Sequence, residues 1–167
     1  MSKKFVISDT HFGHYNIIKL CNRPFNDEND MNKILIENWN SVVSDDDEVY
    51  HLGDFSFYKD DVKNKKIFNS LRGKKFLIKG NHDKNSINLN WVKVYDYFEL
   101  NYNEKRFVLF HYPIEEWNNS YRGAIHLYGH VHNKIMPVLT SNFGVQPIRH
   151  NVSVEMINYT PKDLATY

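Results

Sequence analysis

Short apolar runs that break off into polar, metal-competent side chains recur along the chain. "KFVIS" runs into Asp9 and His11, "EVYHL" into Gly53 and Asp54, and "KFLIK" into Gly80, Asn81 and His82; "RFVLF" then runs into His111, and "AIHLY" into Gly129, His130 and His132. Their length and their enrichment in branched and aromatic residues predict β-strands. Helical spacing separates the early runs. "NDMNKILIENWNSVV" places Met31, Ile34, Leu35 and Val42 near one face behind an Asn or Asp cap, and "KDDVKNKKIFNSLRG" ends at Gly73, where a C-terminal cap belongs. Strand, helix, strand in that order implies a largely parallel sheet at the start. The later segments "VKVYDYFEL", "KRFVLFHYP", "AIHLYGHVH" and "NVSVEMINY" read as strands with no convincing helix between them, and "NYNEK" reads as a hairpin connection. The expected fold is α/β: a four-layer α/β/β/α sandwich of two mixed β-sheets flanked by helices. In such sheets ligands bind beyond the carboxyl ends of the strands, which is where all five polar clusters fall.

At 167 residues, with neither an internal repeat nor a Pro/Gly-rich linker, residues 1–167 are expected to form one domain. No apolar run approaches the roughly 20 residues of a membrane span, and the first residues lack the apolar stretch of a signal peptide. A cytoplasmic location is expected. The single cysteine, Cys21, excludes an internal disulfide and reads as a small apolar filler. A net charge of +1 does not indicate strong nonspecific attraction to nucleic acid. Eleven carboxylates crowd residues 27–61 and seven Lys or Arg residues 63–79, a pattern of solvated faces that leaves open a basic rim for a phosphorylated substrate.

His130 and His132 stand at i and i+2 of a stretch that reads as a buried β-strand, so their rings are expected to share a face, roughly 7 Å apart at about 3.3 Å rise per residue. Together with Asp9, His11, Asp54, Asn81 and His111 they make three oxygen donors and four imidazoles. That mixture suits Mn, Fe, Zn or Ni rather than calcium. Two divalent ions held by such a set, one carboxylate bridging them, can present a hydroxide for in-line attack on phosphorus.

The ordered set "DTH", "GDF", "GNHD", "FHYP" and "GHVH" resembles the calcineurin-like metallophosphoesterase superfamily, over residues 9 to 132. The resemblance implies two divalent ions, Mn foremost with Fe, Zn and Ni as alternatives. Asp9, His11 and His132 would hold one ion; Asn81, His111 and His130 would hold the other, and Asp54 would bridge. It also implies a catalytic role for His82, protonating or stabilising the leaving oxygen, with Asp83 orienting its ring. The phosphoprotein phosphatases of the superfamily carry Arg before Gly-Asn-His and Glu after it, whereas this chain has Lys79 and Asp83. Its short length is similar to that of compact bacterial and phage phosphodiesterases, in which "NVSVEMINYTP" would be a closing strand. The implied activity is hydrolysis of a small phosphodiester or nucleotide by attack of a metal-bound hydroxide. A phosphomonoesterase, or a metal-binding scaffold without catalysis, is the alternative.

Outside the motifs, His14, Arg23 and Arg122 are candidates for binding substrate phosphate, the two arginines because a planar guanidinium matches two oxygens at once. Phe12, Tyr112, Trp117 and Tyr121 lie in or beside the proposed loops and read as core, with stacking on a base as the alternative. His51 and His126 read as satisfied structural imidazoles. No Gly-x-x-x-x-Gly-Lys-Ser/Thr stretch supports a phosphate loop.

Overall fold

A computed structural model describes residues 2–139 and 145–167. The first sheet takes its central strands from the first three apolar runs: β1 (Lys4–Ile7), β2 (Glu48–His51) and β3 (Lys74–Ile78) are parallel neighbours. β4 (Lys93–Tyr95) extends it in parallel beyond β3, and β9 (Lys162–Asp163) closes the other edge antiparallel to β1. The second sheet runs in the order β5 (Tyr97–Tyr102), β6 (Lys105–Phe110), β7 (Ile125–Tyr128), β8 (Ile148–Asn151), with only the β5–β6 pair antiparallel. That pair is the hairpin expected at "NYNEK". Tyr102 faces Lys105 across a two-residue turn in which Asn103 and Glu104 have φ of 48° and 63°, as a type I′ turn requires.

Strand alternation sorts the side chains into layers. Phe5, Ile7, Val49 and Leu77 point to the helical side, while Val6, Tyr50, Ile78 and the neighbouring Leu52 meet Phe107, Leu109, Ile125 and Leu127 of the second sheet. On the helical side lie α1 (Tyr15–Leu20), α2 (Glu28–Val42) and α3 (Asp61–Ser70). Asp27 caps α2 by accepting from the N–H groups of Asn29 and Asp30, and Asp60 caps α3 from Val62 and Lys63. The buried face of α2 is Met31, Leu35 and Trp39, one turn apart each, whereas Val42 is exposed. α3 ends at Ser70, three residues before the glycine expected to cap it.

The α/β sandwich of two mixed sheets is as expected. Among the described residues its outer layer over the second sheet is a loop with a 3-10 turn at Ser120–Arg122, where Trp117 packs on Val108 and Ala124. The expected closing strand at 151–161 is instead the end of β8 followed by a 3-10 turn, Val154–Met156. Among the described residues no helix is long and apolar enough to cross a membrane.

Candidate metal centre

β1, β2, β3, β6 and β7 all finish at the same edge of the sandwich, so the polar residues that come after them converge. The backbone there is unusual. Asp9, His11, Asp54, His130 and His132 have φ of 58°, 50°, 58°, 70° and 52°. Left-handed backbone costs an ordinary residue about 1–2 kcal/mol, so it persists only where the surroundings impose it. Here the Asp9 N–H donates to the Gly53 carbonyl and the His11 N–H to the Asp54 carbonyl, each at 3.0 Å. Close approach also demands glycine at two places. A Cβ on Gly80 would stand 2.2 Å from Asp54 Oδ1, and one on Gly129 2.2 Å from Asp9 Oδ2.

These constraints turn the acceptors inward. Asp9 Oδ2 is engaged by the His130 N–H at 2.9 Å and the Ser153 hydroxyl at 3.0 Å, leaving Oδ1 to face His11 Nε2 at 3.8 Å and His132 Nε2 at 3.9 Å. Asp54 Oδ1 accepts from the His82 N–H at 2.8 Å, and its Oδ2 lies between His11 Nε2, 3.7 Å away, and His111 Nε2, 3.6 Å away. Asn81 Oδ1 lies 3.1 Å from His111 Nε2 and 3.0 Å from His130 Nδ1. The donors thus fall into two groups, Asp9–His11–His132 and Asp54–His111–His130, whose ligand atoms lie within 4.8 Å of one another in each.

The partners also set the tautomers. His111 Nδ1 is 2.6 Å from the Leu52 carbonyl and must donate to it, which leaves the Nε2 lone pair turned to Asp54 and Asn81. His132 Nδ1 is 3.0 Å from Glu155 Oε1, leaving its Nε2 on the Asp9 side. Burial works against the charge on Asp9, yet the facing imidazoles of His11, His111 and His132 hold its carboxyl well below the usual range. Burial raises Asp54, with His111 and the His82 N–H only partly offsetting it. Burial lowers His11 and His130, keeping both rings neutral. His132 moves the other way, to about 10: burial opposes the rise, but Cys21 and Glu155 outweigh it.

Asp9 Oδ1 and His11 Nε2 are buried without a hydrogen-bond partner. Lone pairs turned on one another in a dry site are costly unless positive charge lies between them. A pair of divalent cations fits this donor set, and its nitrogen and neutral or anionic oxygen atoms are those that manganese, iron, zinc and nickel accept.

The family model for the calcineurin-like phosphoesterase superfamily domain matches residues 3–147. The chain belongs to that superfamily. An uncharacterised protein of Methanocaldococcus jannaschii is 41% identical over 167 residues, covering 98% of this chain and 88% of that one. The Gene 66 protein of Mycobacterium phage L5 is 35% identical over 85 residues, half of this chain and 41% of that one. Among solved structures, a protein of unknown function from Aquifex aeolicus superposes with a TM-score of 0.75 at 27% identity, covering 99% of this chain and 97% of that one.

All seven donors expected from the sequence, Asp9, His11, Asp54, Asn81, His111, His130 and His132, meet in one place, but the reason given for the last two needs correction. β7 stops at Tyr128, so His130 and His132 share the site through left-handed loop backbone, not through strand alternation. His82 is exposed at the mouth, its ring 5.9 Å from that of His11 and 4.9 Å from Phe57. Asp83 does not orient it. Its carboxylate is saturated by the N–H groups of Asp54, Phe55 and Gly80 and by the Ser86 hydroxyl, at 2.7–2.9 Å, and so ties the Asp54 loop to the Gly80 loop.

Two phosphate-binding expectations fail. Arg23 is buried, donating to the carbonyls of Thr10 and Asp9 and to Glu155, because a guanidinium satisfies several backbone acceptors at once. Arg122 sits in a hollow with Lys105 and Arg106 at the start of β6, the end opposite the site. His14 stacks on Phe57 at 3.7 Å beside His11, at the rim. The basic residues of 63–79 do not gather at the site: Lys63, Lys65 and Lys66 lie along α3, Lys74 and Lys75 open β3 at its far end, and Lys79, which follows β3 on the site side, is paired with Asp96. Phe12 and Trp117 are core, whereas Tyr112 is exposed, packed edge-on against His130. His126 is satisfied as a neutral ring, its Nδ1 donating to the Val108 carbonyl and its Nε2 accepting from the Ile114 N–H; His51 bonds Thr10 through Nε2 but leaves Nδ1 without a partner. Sequence reading missed Ser153 and Glu155, whose neighbours in the chain carry no motif.

Proposed function

We propose that the chain is a dinuclear metal-dependent phosphoesterase acting on a small phosphodiester or nucleotide. The observation that carries this reading is Asp54 Oδ2, placed between His11 and His111 and so between the two donor groups. Asp9, His11 and His132 would hold one ion, Asn81, His111 and His130 the other, and Asp54 both. When bound, divalent ions supply positive charge against the phosphoryl oxygens and acidify water for attack on phosphorus. Manganese is the first ion to test, ahead of iron, zinc and nickel.

The chain's own residues do the rest. Buried Asp9 and His11 exclude bulk water from the floor of the site, which strengthens every charge interaction there. His82, exposed and with its backbone N–H pinned to Asp54, is supported as the group that reaches the leaving oxygen and gives it a proton. His14 lies on the same rim for a phosphate or its substituent. Lys79 and Asp83, which depart from the Arg and Glu of the phosphoprotein phosphatases, favour diesters over phosphoproteins, and Asp83 serves here to lock the loops.

The test compares bis-p-nitrophenyl phosphate with p-nitrophenyl phosphate after removal of metal and readdition of Mn, Ni, Zn or Mg. Metal-dependent turnover with the diester preferred is expected. Stoichiometric metal uptake without turnover on either ester would replace the enzyme by a scaffold, and preference for the monoester would replace the diesterase by a phosphomonoesterase.

A further inference from the structure

The two halves of the centre are braced by different stretches of chain. Asp54, Asn81 and His111 take their side-chain hydrogen-bond partners from within residues 52–130, the His111 ring from the neutral carbonyl of Leu52, whereas the His130 N–H reaches across to Asp9 Oδ2. The Asp9 half is closed by residues beyond the stretch the family model matches, 3–147. There the Asn151 side chain donates to the His132 carbonyl at 2.6 Å, the Ser153 hydroxyl to Asp9 Oδ2 at 3.0 Å, and Glu155 Oε1 stands 3.0 Å from His132 Nδ1.

Glu155 is held in turn. Its side chain is 4% exposed, against Arg23 at 0%, and Arg23 reaches Oε1 through Nε at 2.9 Å and through its second terminal nitrogen at 2.7 Å. The same guanidinium donates to the carbonyls of Asp9 at 2.7 Å and Thr10 at 3.0 Å. One cation therefore joins the carboxylate behind His132 to the backbone that carries Asp9.

We infer that Glu155, held by Arg23, is a positioning residue for the Asp9–His11–His132 half of the centre: it keeps the His132 ring proton on Nδ1 and turns the Nε2 lone pair toward Asp9 Oδ1. A carboxylate behind a ligating imidazole fixes its orientation and raises its basicity, and losing one weakens metal binding by about 10–100-fold. Glu155 touches no donor of the other half, so its effect is confined to one of two cation positions. This inference rests on the proposed two-cation reading.

The test is titration calorimetry with Mn²⁺ on the metal-free chain, together with ¹H–¹⁵N spectra of that chain above pH 10, where the His132 ring is neutral, that report which nitrogen of each imidazole carries the proton. The parent should show two binding events and His132 protonated at Nδ1. Glu155→Gln, which keeps the size and an acceptor for Arg23, should weaken one event about 10–100-fold, leave the other within about twofold, and disperse the His132 proton over both nitrogens. Ser153→Ala, acting on Asp9 in the same half, should weaken the same event by less. Equal weakening of both events, unchanged affinity at both, or a His132 proton still fixed at Nδ1 in Glu155→Gln would overturn the positioning role. No uptake by the parent would instead overturn the two-cation reading, and this inference with it.

Discussion

The Asp9 group and the Asn81 group use the same chemistry in opposite surroundings. Asp9 and His11 are 0% and 2% exposed and rest on Ser153, Glu155 and the buried Arg23, whereas on the other side only His111 is buried and Asn81 is exposed, with the Tyr112 ring against its neighbour His130. Burial is what orphans Asp9 Oδ1 and His11 Nε2; no atom of Asn81 is left in that state. If each group holds an ion, the Asp9 position is the more enclosed of the two and the Asn81 position the more open to solvent. An ion in the first should be held tightly and exchange slowly, and an ion in the second should come and go with substrate and buffer.

The largest effect belongs to the residue common to both. Asp54→Asn should abolish metal-dependent diester hydrolysis, by at least about a thousandfold or ~4 kcal/mol of barrier, because one oxygen serves both groups. Parent-like turnover in that variant would remove the bridging assignment. Next, His11→Ala should remove the tightly held ion and His130→Ala the loosely held one, read as retained metal per chain after dialysis. Equal retention in the two variants would break the contrast.

A smaller effect concerns stability. Gly129→Ala should lower it by about 2–3 kcal/mol in chemical unfolding, because its methyl meets Ser8 and Asp9 in the packed half. Acid should act on the scaffold even without metal. Burial lowers His126 and His51 from their ordinary 6.5 to about 4. The unfolded chain thus takes up these protons before the folded one does, so stability is complete above pH 6.5 and is lost as pH falls toward 4. At pH 5 each imidazole should cost on the order of 2 kcal/mol, measured as a falling urea midpoint between pH 7 and 5 in metal-free protein. A midpoint that stays level would show both rings charged in the fold. Least of all, Tyr112→Phe should change KM for the diester by no more than about threefold, since its exposed hydroxyl lies 3.5 Å from Asn81 Oδ1, at the limit of a hydrogen bond.

Range along the chain governs how much of this was legible in the sequence. Apolar runs, an Asn or Asp cap before α2 and the Asn103–Glu104 hairpin are local patterns, decided by residues within a few positions of one another, and so could be read directly, whereas the Asp60 cap of α3 was not read. The seven donors were legible for a related reason. Each lies just past the end of a strand, and parallel strands deliver the residues at their carboxyl ends to one edge.

Local pattern and chain order were therefore enough to say which elements form, in what succession, and which polar residues gather at their ends. How those residues are aimed was settled only by packing in three dimensions. Arg23 left the set of phosphate binders because it meets Glu155, 132 residues away; Asp9 is bridled by Ser153, 144 residues away; and Asp83 binds the loop of Asp54 rather than the ring beside it. Those choices come from hydrogen bonds between segments that touch only after the two sheets have packed, and a buried polar group takes whatever partner the packing leaves within reach.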